Sequence, residues 1–98
     1  MHYTYFLYSE SDCEWYTGAT SDLKARVRKH AEGGVRSTAG RRPILLVYYE
    51  GCLNREDAFR RERYLKTGRG KRYLRQRLAQ WRVSLSQEKL ERHYASIF

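Results

Sequence analysis

The chain has 98 residues, of which 41% are hydrophobic and 14% aromatic, so it is long enough for one small domain and too rich in apolar side chains for a disordered tail. Lys and Arg number 20 against 11 acidic residues, a formal net charge of +9 that favours binding to a polyanion, although charged runs also occur as solvated surfaces. Only Cys13 and Cys52 are present and no apolar run approaches the roughly 20 residues of a membrane span, which argues against a disulfide framework, a zinc ribbon or a transmembrane helix and predicts a cytoplasmic single domain over residues 1–98.

The first predicted element is a β-hairpin. Aromatic and β-branched residues fill positions 2–8 and 15–19, and the polar residues 9–14 separate the two runs. Because side chains alternate across a strand, Tyr3 and Tyr5 are predicted to share one face.

A helix is predicted next. Ser21 or Asp22 supplies its N-terminal cap, and the apolar spacing continues to about Ala31. Arg26 and His30 lie one turn apart on this helix, so they are predicted to project together towards the hairpin.

The third strand is predicted over residues 44–49, a continuous apolar run between Pro43 and Gly51. Such a run is typical of a strand that is covered on both faces. The sequence therefore predicts that this strand is central in the sheet.

A second helix is predicted from Asn54 to about Lys66. Asn54 followed by Asp57 resembles a capping arrangement. Glu62 falls on the apolar stripe of this helix, on the same side as Leu65, so its carboxylate is expected to need a partner or a metal ion.

Helical spacing of apolar residues predicts two further helices. The first carries Tyr73, Leu74, Leu78 and Trp81, and the second carries Leu90, Tyr94, Ile97 and Phe98. The predicted order is ββαβααα, and the fold class is α+β, a small three-stranded and mostly antiparallel sheet flanked by helices. Residues 2–79 form the predicted core and 80–98 a helical extension.

The positive charge is concentrated between residues 58 and 87, where ten Lys or Arg accompany one carboxylate, Glu62. Fifteen of the 20 basic residues are Arg, whose planar fork pairs bidentately with phosphate. This tract and the basic loop before the third strand are predicted to follow a nucleic-acid backbone. The predicted contact residues are Lys24, Arg36, Arg41, Arg42, Arg60, Arg61, Lys66, Arg69, Lys71 and Arg72. Tyr73 and Trp81 would stack on bases if exposed, but their helical spacing favours core packing.

Two tripeptides on the predicted hairpin, Tyr3-Thr4-Tyr5 and Tyr16-Thr17-Gly18, precede Arg26, His30 and Glu62. Their order and approximate spacing resemble the GIY-YIG nuclease superfamily, and more closely its small stand-alone branch, over about residues 2–79. The resemblance implies the GIY-YIG fold and a nuclease activity.

Three positions depart from the family pattern. Tyr3 replaces the glycine of the first motif and Thr17 the isoleucine of the second, and both replacements suit a strand. Ala19 stands where a basic residue often follows the second motif, which leaves local phosphate stabilisation to Lys24 or to an arginine of the loop 36–42.

The resemblance implies hydrolysis of a phosphodiester bond in DNA, assisted by one divalent ion, Mg²⁺ or Mn²⁺. Glu62 would ligate the ion, since hard cations prefer carboxylate oxygens, and the alternative for this residue is an ion pair with a neighbouring Arg. Tyr16 would accept the proton of the attacking water, and Tyr5 would hold the water or the phosphate by a hydrogen bond. A free tyrosine is ionised about one part in a thousand at pH 7, so cations are expected beside Tyr16; the alternative for both tyrosines is packing within the hairpin.

The two helical residues also have implied roles. Arg26 would clamp the scissile phosphate, and its alternative is a solvated surface arginine. His30 would hydrogen-bond the phosphate or shuttle a proton, and its alternative is a structural histidine.

The predicted function is therefore that of a metal-dependent DNA endonuclease with low sequence specificity, acting in repair, recombination or DNA uptake, with a preference for single-stranded or branched DNA. Two alternatives remain at this point. One is a non-catalytic nucleic-acid-binding module, and the other is a nuclease subunit that needs a protein partner.

Overall fold

The computed structural model describes residues 1–85. Its elements are β1 (His2–Ser9), β2 (Trp15–Thr20), α1 (Leu23–Ala31), β3 (Ile44–Cys52), α2 (Arg55–Leu65) and α3 (Gly68–Arg77), with a 3₁₀ turn at Ala39–Arg41 and a further helical segment over 79–85. This order confirms the predicted ββαβααα arrangement and the α+β class. The predicted helical positions Leu90, Tyr94, Ile97 and Phe98 lie outside the described residues.

The sheet has the order β2-β1-β3, and both pairings are antiparallel. The prediction that β3 is central is wrong, because β1 bonds both neighbours and β3 is an edge strand. Leu45, Leu46 and Tyr49 of β3 are accordingly exposed. An apolar run does not by itself distinguish a strand covered on both faces from an apolar edge strand.

Helices cover both faces of β1. On one face, Phe6 packs with Leu65 of α2 and Leu74 of α3 to form the apolar core. Thr4, on the same face, donates a hydrogen bond of 3.0 Å from its hydroxyl to the carbonyl of Ala58 in α2. The opposite face, which carries Tyr5, is covered by α1 through contacts described below.

The predicted caps are present. Of the two candidates for α1, Asp22 is the cap, and its carboxylate accepts a hydrogen bond from the backbone N–H of Ala25. Asn54 caps α2 and accepts from the N–H groups of Glu56 and Asp57. These bonds satisfy backbone donors that the first turn of a helix leaves without partners, and so they fix where α1 and α2 begin.

The predicted third helix is interrupted at Leu78, where the backbone leaves helical geometry (φ −108°, ψ 26°). Trp81 therefore belongs to the next segment and packs edge-on against Trp15, with ring centroids 5.3 Å apart. Tyr73 is half-buried beside the apolar core. The expectation that both aromatics pack within the fold is confirmed.

Gly70 brings α3 onto the end of α2. A Cβ atom at this position would overlap the backbone of Tyr64 and Leu65. Only glycine allows the two helices to approach this closely.

The sequence argues against a disulfide and against a transmembrane helix. No disulfide joins Cys13 and Cys52. Within residues 1–85, no helix has the length and apolar character needed to cross a membrane.

Candidate active site

Tyr5 lies at the centre of β1 and is 1% exposed. Gly18 stands opposite it on β2, and a Cβ atom at Gly18 would overlap the Tyr5 ring. The glycine of the second tripeptide is thus required by the close approach of the tyrosine of the first.

Two residues of α1 reach the Tyr5 hydroxyl. His30 Nε2 lies 2.9 Å from it, and Arg26 Nε donates to it at 3.4 Å. Both side chains reach the same hydroxyl because residues four apart lie on the same side of a helix. The structure therefore brings together Tyr5, Arg26 and His30, as the sequence predicts.

Thr38 completes the chain of hydrogen bonds and was not anticipated from the sequence. Its hydroxyl lies 2.7 Å from His30 Nδ1 and donates to the carbonyl of Val35 at 3.4 Å. Because that hydroxyl proton is directed at a carbonyl, Thr38 accepts from Nδ1–H. His30 is then the Nδ1–H tautomer, and its Nε2 accepts the hydrogen bond that the Tyr5 hydroxyl donates.

Among these hydrogen-bonded residues only Arg26 is charged, because burial disfavours the charged forms of the others. His30 is fully buried, and desolvation, followed by the charge of Arg26, lowers its pKa to about 4. Desolvation raises the pKa of Tyr5, although the hydrogen bond from Arg26 acts in the opposite direction. At neutral pH the imidazole and the phenol are therefore both neutral.

The same burial disagrees with part of the roles expected for Tyr5 and His30. Neither side chain reaches solvent, since their exposed fractions are 1% and 0%. Direct hydrogen bonds from Tyr5 to water or phosphate, and from His30 to phosphate, are not compatible with this geometry.

Tyr16 and Arg26 are the half-buried members of the cluster. The Tyr16 ring meets the His30 ring edge-on, with centroids 5.0 Å apart, and lies 6.3 Å from the Tyr5 ring. The pKa of Arg26 is raised, first by its hydrogen bond to Tyr5 and further by its interaction with Tyr16. A fixed guanidinium thus lies beside a phenol that solvent can reach.

Glu62 lies on α2, which packs against the other face of the sheet. Its side chain is 22% exposed, and its nearest cation is Lys66 Nζ at 3.8 Å, beyond hydrogen-bond distance. Within residues 1–85 no hydrogen bond reaches its carboxylate. Tyr5 and His30 lie on the opposite side of the sheet, the one covered by α1.

Glu50 provides a comparison for Glu62. Its two carboxylate oxygens accept from Arg61 at 2.8 and 2.9 Å, and one of them also accepts from the Tyr48 hydroxyl. Glu50 thus has a close ion pair with an arginine, whereas the ion pair of Glu62 is with Lys66 at 3.8 Å. Of these two inward-facing carboxylates, Glu62 is the one whose oxygens are available to a ligand.

The donor set fits a hard divalent ion. Among residues 1–85 no group of three or more metal-ligating side chains lies together. An ion here would depend on the Glu62 carboxylate together with water and phosphate oxygens. Mg²⁺ accepts such a site, because it commonly retains several waters and uses one or two carboxylates.

The residues predicted to contact nucleic acid divide into two groups. Arg41 is held by Asp12 at 2.7 Å and by the carbonyl of Trp15 at 3.2 Å, so it ties the hairpin loop to the turn before β3. Arg61 pairs with Glu50 and lies over the Tyr73 ring, 4.7 Å from its centroid. The others are exposed: Lys24, Arg36, Arg42, Arg60, Lys66, Arg69, Lys71 and Arg72.

Comparison with known proteins gives a consistent family. A family model described as the GIY-YIG catalytic domain matches residues 1–77. A UPF0213 protein of Clostridium perfringens is 40% identical over 67 residues, which are 67% of this chain and 71% of that protein. A UPF0213 protein of Haloquadratum walsbyi is 42% identical over 67 residues, 67% of this chain and 74% of that one. The solution NMR structure of a UPF0213 protein from Bacillus halodurans is 41% identical and covers 74% of this chain and 80% of its own, with a TM-score of 0.47.

Proposed function

The chain belongs to the GIY-YIG catalytic-domain family, a nuclease superfamily, and from that membership we propose that it is a metal-dependent endonuclease that hydrolyses phosphodiester bonds in DNA with low sequence specificity. The observation that carries this proposal is the hydrogen-bonded cluster of Tyr5, His30 and Arg26 beside Tyr16. The proposed setting is the cytoplasm, in repair, recombination or DNA uptake.

Tyr16 is the proposed general base. It is the tyrosine of the cluster that solvent reaches, and it lies on the edge strand β2, where a DNA strand has access. The phenolate form of Tyr16 takes the proton of the attacking water and becomes the neutral phenol, and the charge of Arg26 stabilises the phenolate before that transfer.

Arg26 has a second proposed task, which is to bind the scissile phosphate. Its Nε is used by Tyr5, and this bond fixes the direction of the guanidinium before substrate arrives. A permanently charged group held in place stabilises the charge that develops in phosphoryl transfer without reorganising.

Tyr5, His30 and Thr38 are proposed to position Arg26 and Tyr16. Their hydrogen bonds run from the α1 guanidinium to a loop carbonyl through three side chains that are fully buried or nearly so. A buried, fully satisfied chain of this kind has one low-energy arrangement, so it holds the exposed groups in a single geometry.

Glu62 is the proposed metal ligand. Its carboxylate lacks a hydrogen bond within the described residues, and α2 packs along β2 on the side opposite α1. When bound, a divalent ion supplies Lewis-acid polarisation of the phosphoryl oxygen. A DNA strand that crosses the β2 edge would meet Tyr16 and Arg26 on one side and Glu62 on the other.

The test is cleavage of labelled single-stranded and duplex DNA with Mg²⁺ or Mn²⁺. Tyr16→Phe removes the proposed base and Glu62→Gln removes the charge of the proposed ligand, and each is expected to abolish cleavage while DNA binding persists. Tyr49→Phe is the matched tyrosine control, because Tyr49 is exposed on the other edge strand. Glu50→Gln is the matched carboxylate control and is expected to lower stability while folded protein still cleaves.

Two results would contradict this assignment. If the native chain binds DNA in a salt-dependent way but cleaves nothing with either metal, the chain is a binding module or needs a protein partner. If Glu62→Gln cleaves as well as Glu50→Gln does, the metal ligand lies elsewhere.

A further inference from the structure

A cavity of about 280 Å³ opens between the apolar face of the sheet and the helices α2 and α3. Its floor is apolar and includes Trp15, Leu74 and Leu78. Sites for drug-sized ligands measure about 300–1,000 Å³, so a cavity of this size suits a single flat ring system.

The rim of the cavity is basic. Lys66, Lys71 and Arg75 line it and are exposed. The helix α3, which supplies two of them, contains no acidic residue, and among described residues neither Lys71 nor Arg75 forms an ion pair. An apolar floor below the unpaired charges of Lys71 and Arg75 suits a ligand with a flat apolar part and a negative charge beside it.

The cavity also reaches the edge strand β2, which carries Tyr16. Tyr16 and Thr17 of β2 form part of its wall. A ligand in the cavity would therefore lie against the strand that carries the tyrosine to which the proposed function assigns the proton transfer.

We propose that this cavity binds one unpaired nucleobase of the substrate strand, and that Lys71 and Arg75 bind the phosphates that flank it. A nucleotide combines a flat ring system with an adjacent anion, and base stacking on aromatic side chains does not require a particular sequence. The proposal rests on the proposed function for its substrate. It goes further in specifying a strand with an accessible base, because a paired base does not leave the duplex without unstacking.

Equilibrium binding without a divalent ion tests this proposal separately from cleavage. The probe is a labelled single strand of about 12 nucleotides, which is within the usual site size, together with versions in which one abasic site occupies each position in turn. The native chain is expected to bind about tenfold or more weakly when the abasic site falls at one position, since stacking of a base contributes about 1–3 kcal/mol.

Variants locate the effect. Leu78→Phe fills the cavity and is expected to bind the intact and abasic strands equally, with its fold checked by circular dichroism. Lys71→Glu is a second variant that leaves the apolar floor intact and is expected to reduce the same difference. Arg72→Glu is the matched control, because Arg72 is exposed on the same helix but does not line the cavity. It is expected to weaken binding of both strands by the same factor.

Three results would overturn the proposal. The first is equal binding of the intact strand and all abasic strands. The second is that Leu78→Phe still binds the intact strand more tightly than the abasic one, by the native factor. The third is a change in Trp fluorescence with phosphatidylglycerol vesicles but not with the oligonucleotide, which would assign the cavity to lipid. Equal binding together with cleavage would leave the proposed nuclease in place and remove only the base site. Selective binding without cleavage would leave the base site in place and contradict the proposed nuclease.

Discussion

The two faces of β1 are built from alternate residues of one strand, and they differ in kind. On the face towards α2 and α3, Phe6 joins Leu65 and Leu74 in an apolar cluster. On the face towards α1, Tyr5 joins His30 in a buried chain of directional hydrogen bonds. Both faces are closely covered, so burial alone does not distinguish them.

The difference between the faces concerns what a substitution removes. The apolar face is held by non-directional burial, which contributes mainly to the free energy of folding. The polar face is held by hydrogen bonds whose net contribution to stability is modest but whose geometry is specific. We therefore expect changes on the first face to act on stability and changes on the second to act on the positions of Arg26 and Tyr16.

The largest expected effect is on the apolar face. Leu74→Ala removes a side chain that is 2% exposed and should lower the free energy of unfolding by about 2–5 kcal/mol, measured by urea denaturation. The same variant should leave the ¹⁵N chemical shifts of the His30 ring unchanged. A shift of those resonances would show that the two faces are coupled.

A methyl group at Gly18 tests the polar face by crowding. Gly18→Ala places an atom where the Tyr5 ring lies, and two hydrogen bonds hold that ring, so the expected loss of stability is about 3 kcal/mol. Gly40→Ala is the control, because nothing lies within 4 Å of the added atom, and its effect should stay within about 0.5 kcal/mol. Equal stability of the two variants would contradict the close packing of Tyr5 on Gly18.

Thr38→Val removes the acceptor for His30 Nδ1–H and keeps the shape of the side chain. An unsatisfied buried donor should lower stability by about 2 kcal/mol, and the ring should change tautomer, which the ¹⁵N shifts of Nδ1 and Nε2 report. Thr38→Ser retains the hydroxyl and should keep the native tautomer. If Thr38→Val also keeps it, the hydroxyl does not determine which nitrogen carries the proton.

The smallest expected effect is that of a pH change near neutrality on the stability contributed by His30. His30 has a pKa of about 4 in the folded chain against an ordinary 6.5, so the fold favours the neutral ring. The stability this provides is fully present above about pH 6.5 and is lost as the pH falls towards 4, where protonated Nε2 no longer accepts from Tyr5. The urea midpoint of the native chain should fall more steeply over this range than that of His30→Gln. Parallel curves would contradict the lowered pKa.

Local signals explain what was predictable in the fold. Asn54 and Asp22 cap helices because short polar side chains accept from nearby N–H groups, and this depends on adjacent residues only. The pairing order of the strands does not depend on adjacent residues. The apolar run of β3 therefore predicted a central strand that the structure places at the edge.

The candidate site shows the same limit. Helical spacing was sufficient to place Arg26 and His30 together, but it does not report how deeply Tyr5 and His30 are buried. Thr38 lies in a loop without periodicity and carries no pattern that marks it as the partner of His30. Arg41 and Arg61 looked like ordinary members of a basic surface because their carboxylate partners lie on other elements of the fold.

The contact at Gly70 has a consequence for how the chain meets a polyanion. Because residue 70 has no side chain, the backbone at the start of α3 rests directly on the end of α2. Lys66 and Lys71, one on each side of this contact, are attached to backbone whose separation is fixed. A ligand that bridges Lys66 and Lys71 therefore needs phosphates whose spacing matches the distance between these two charges.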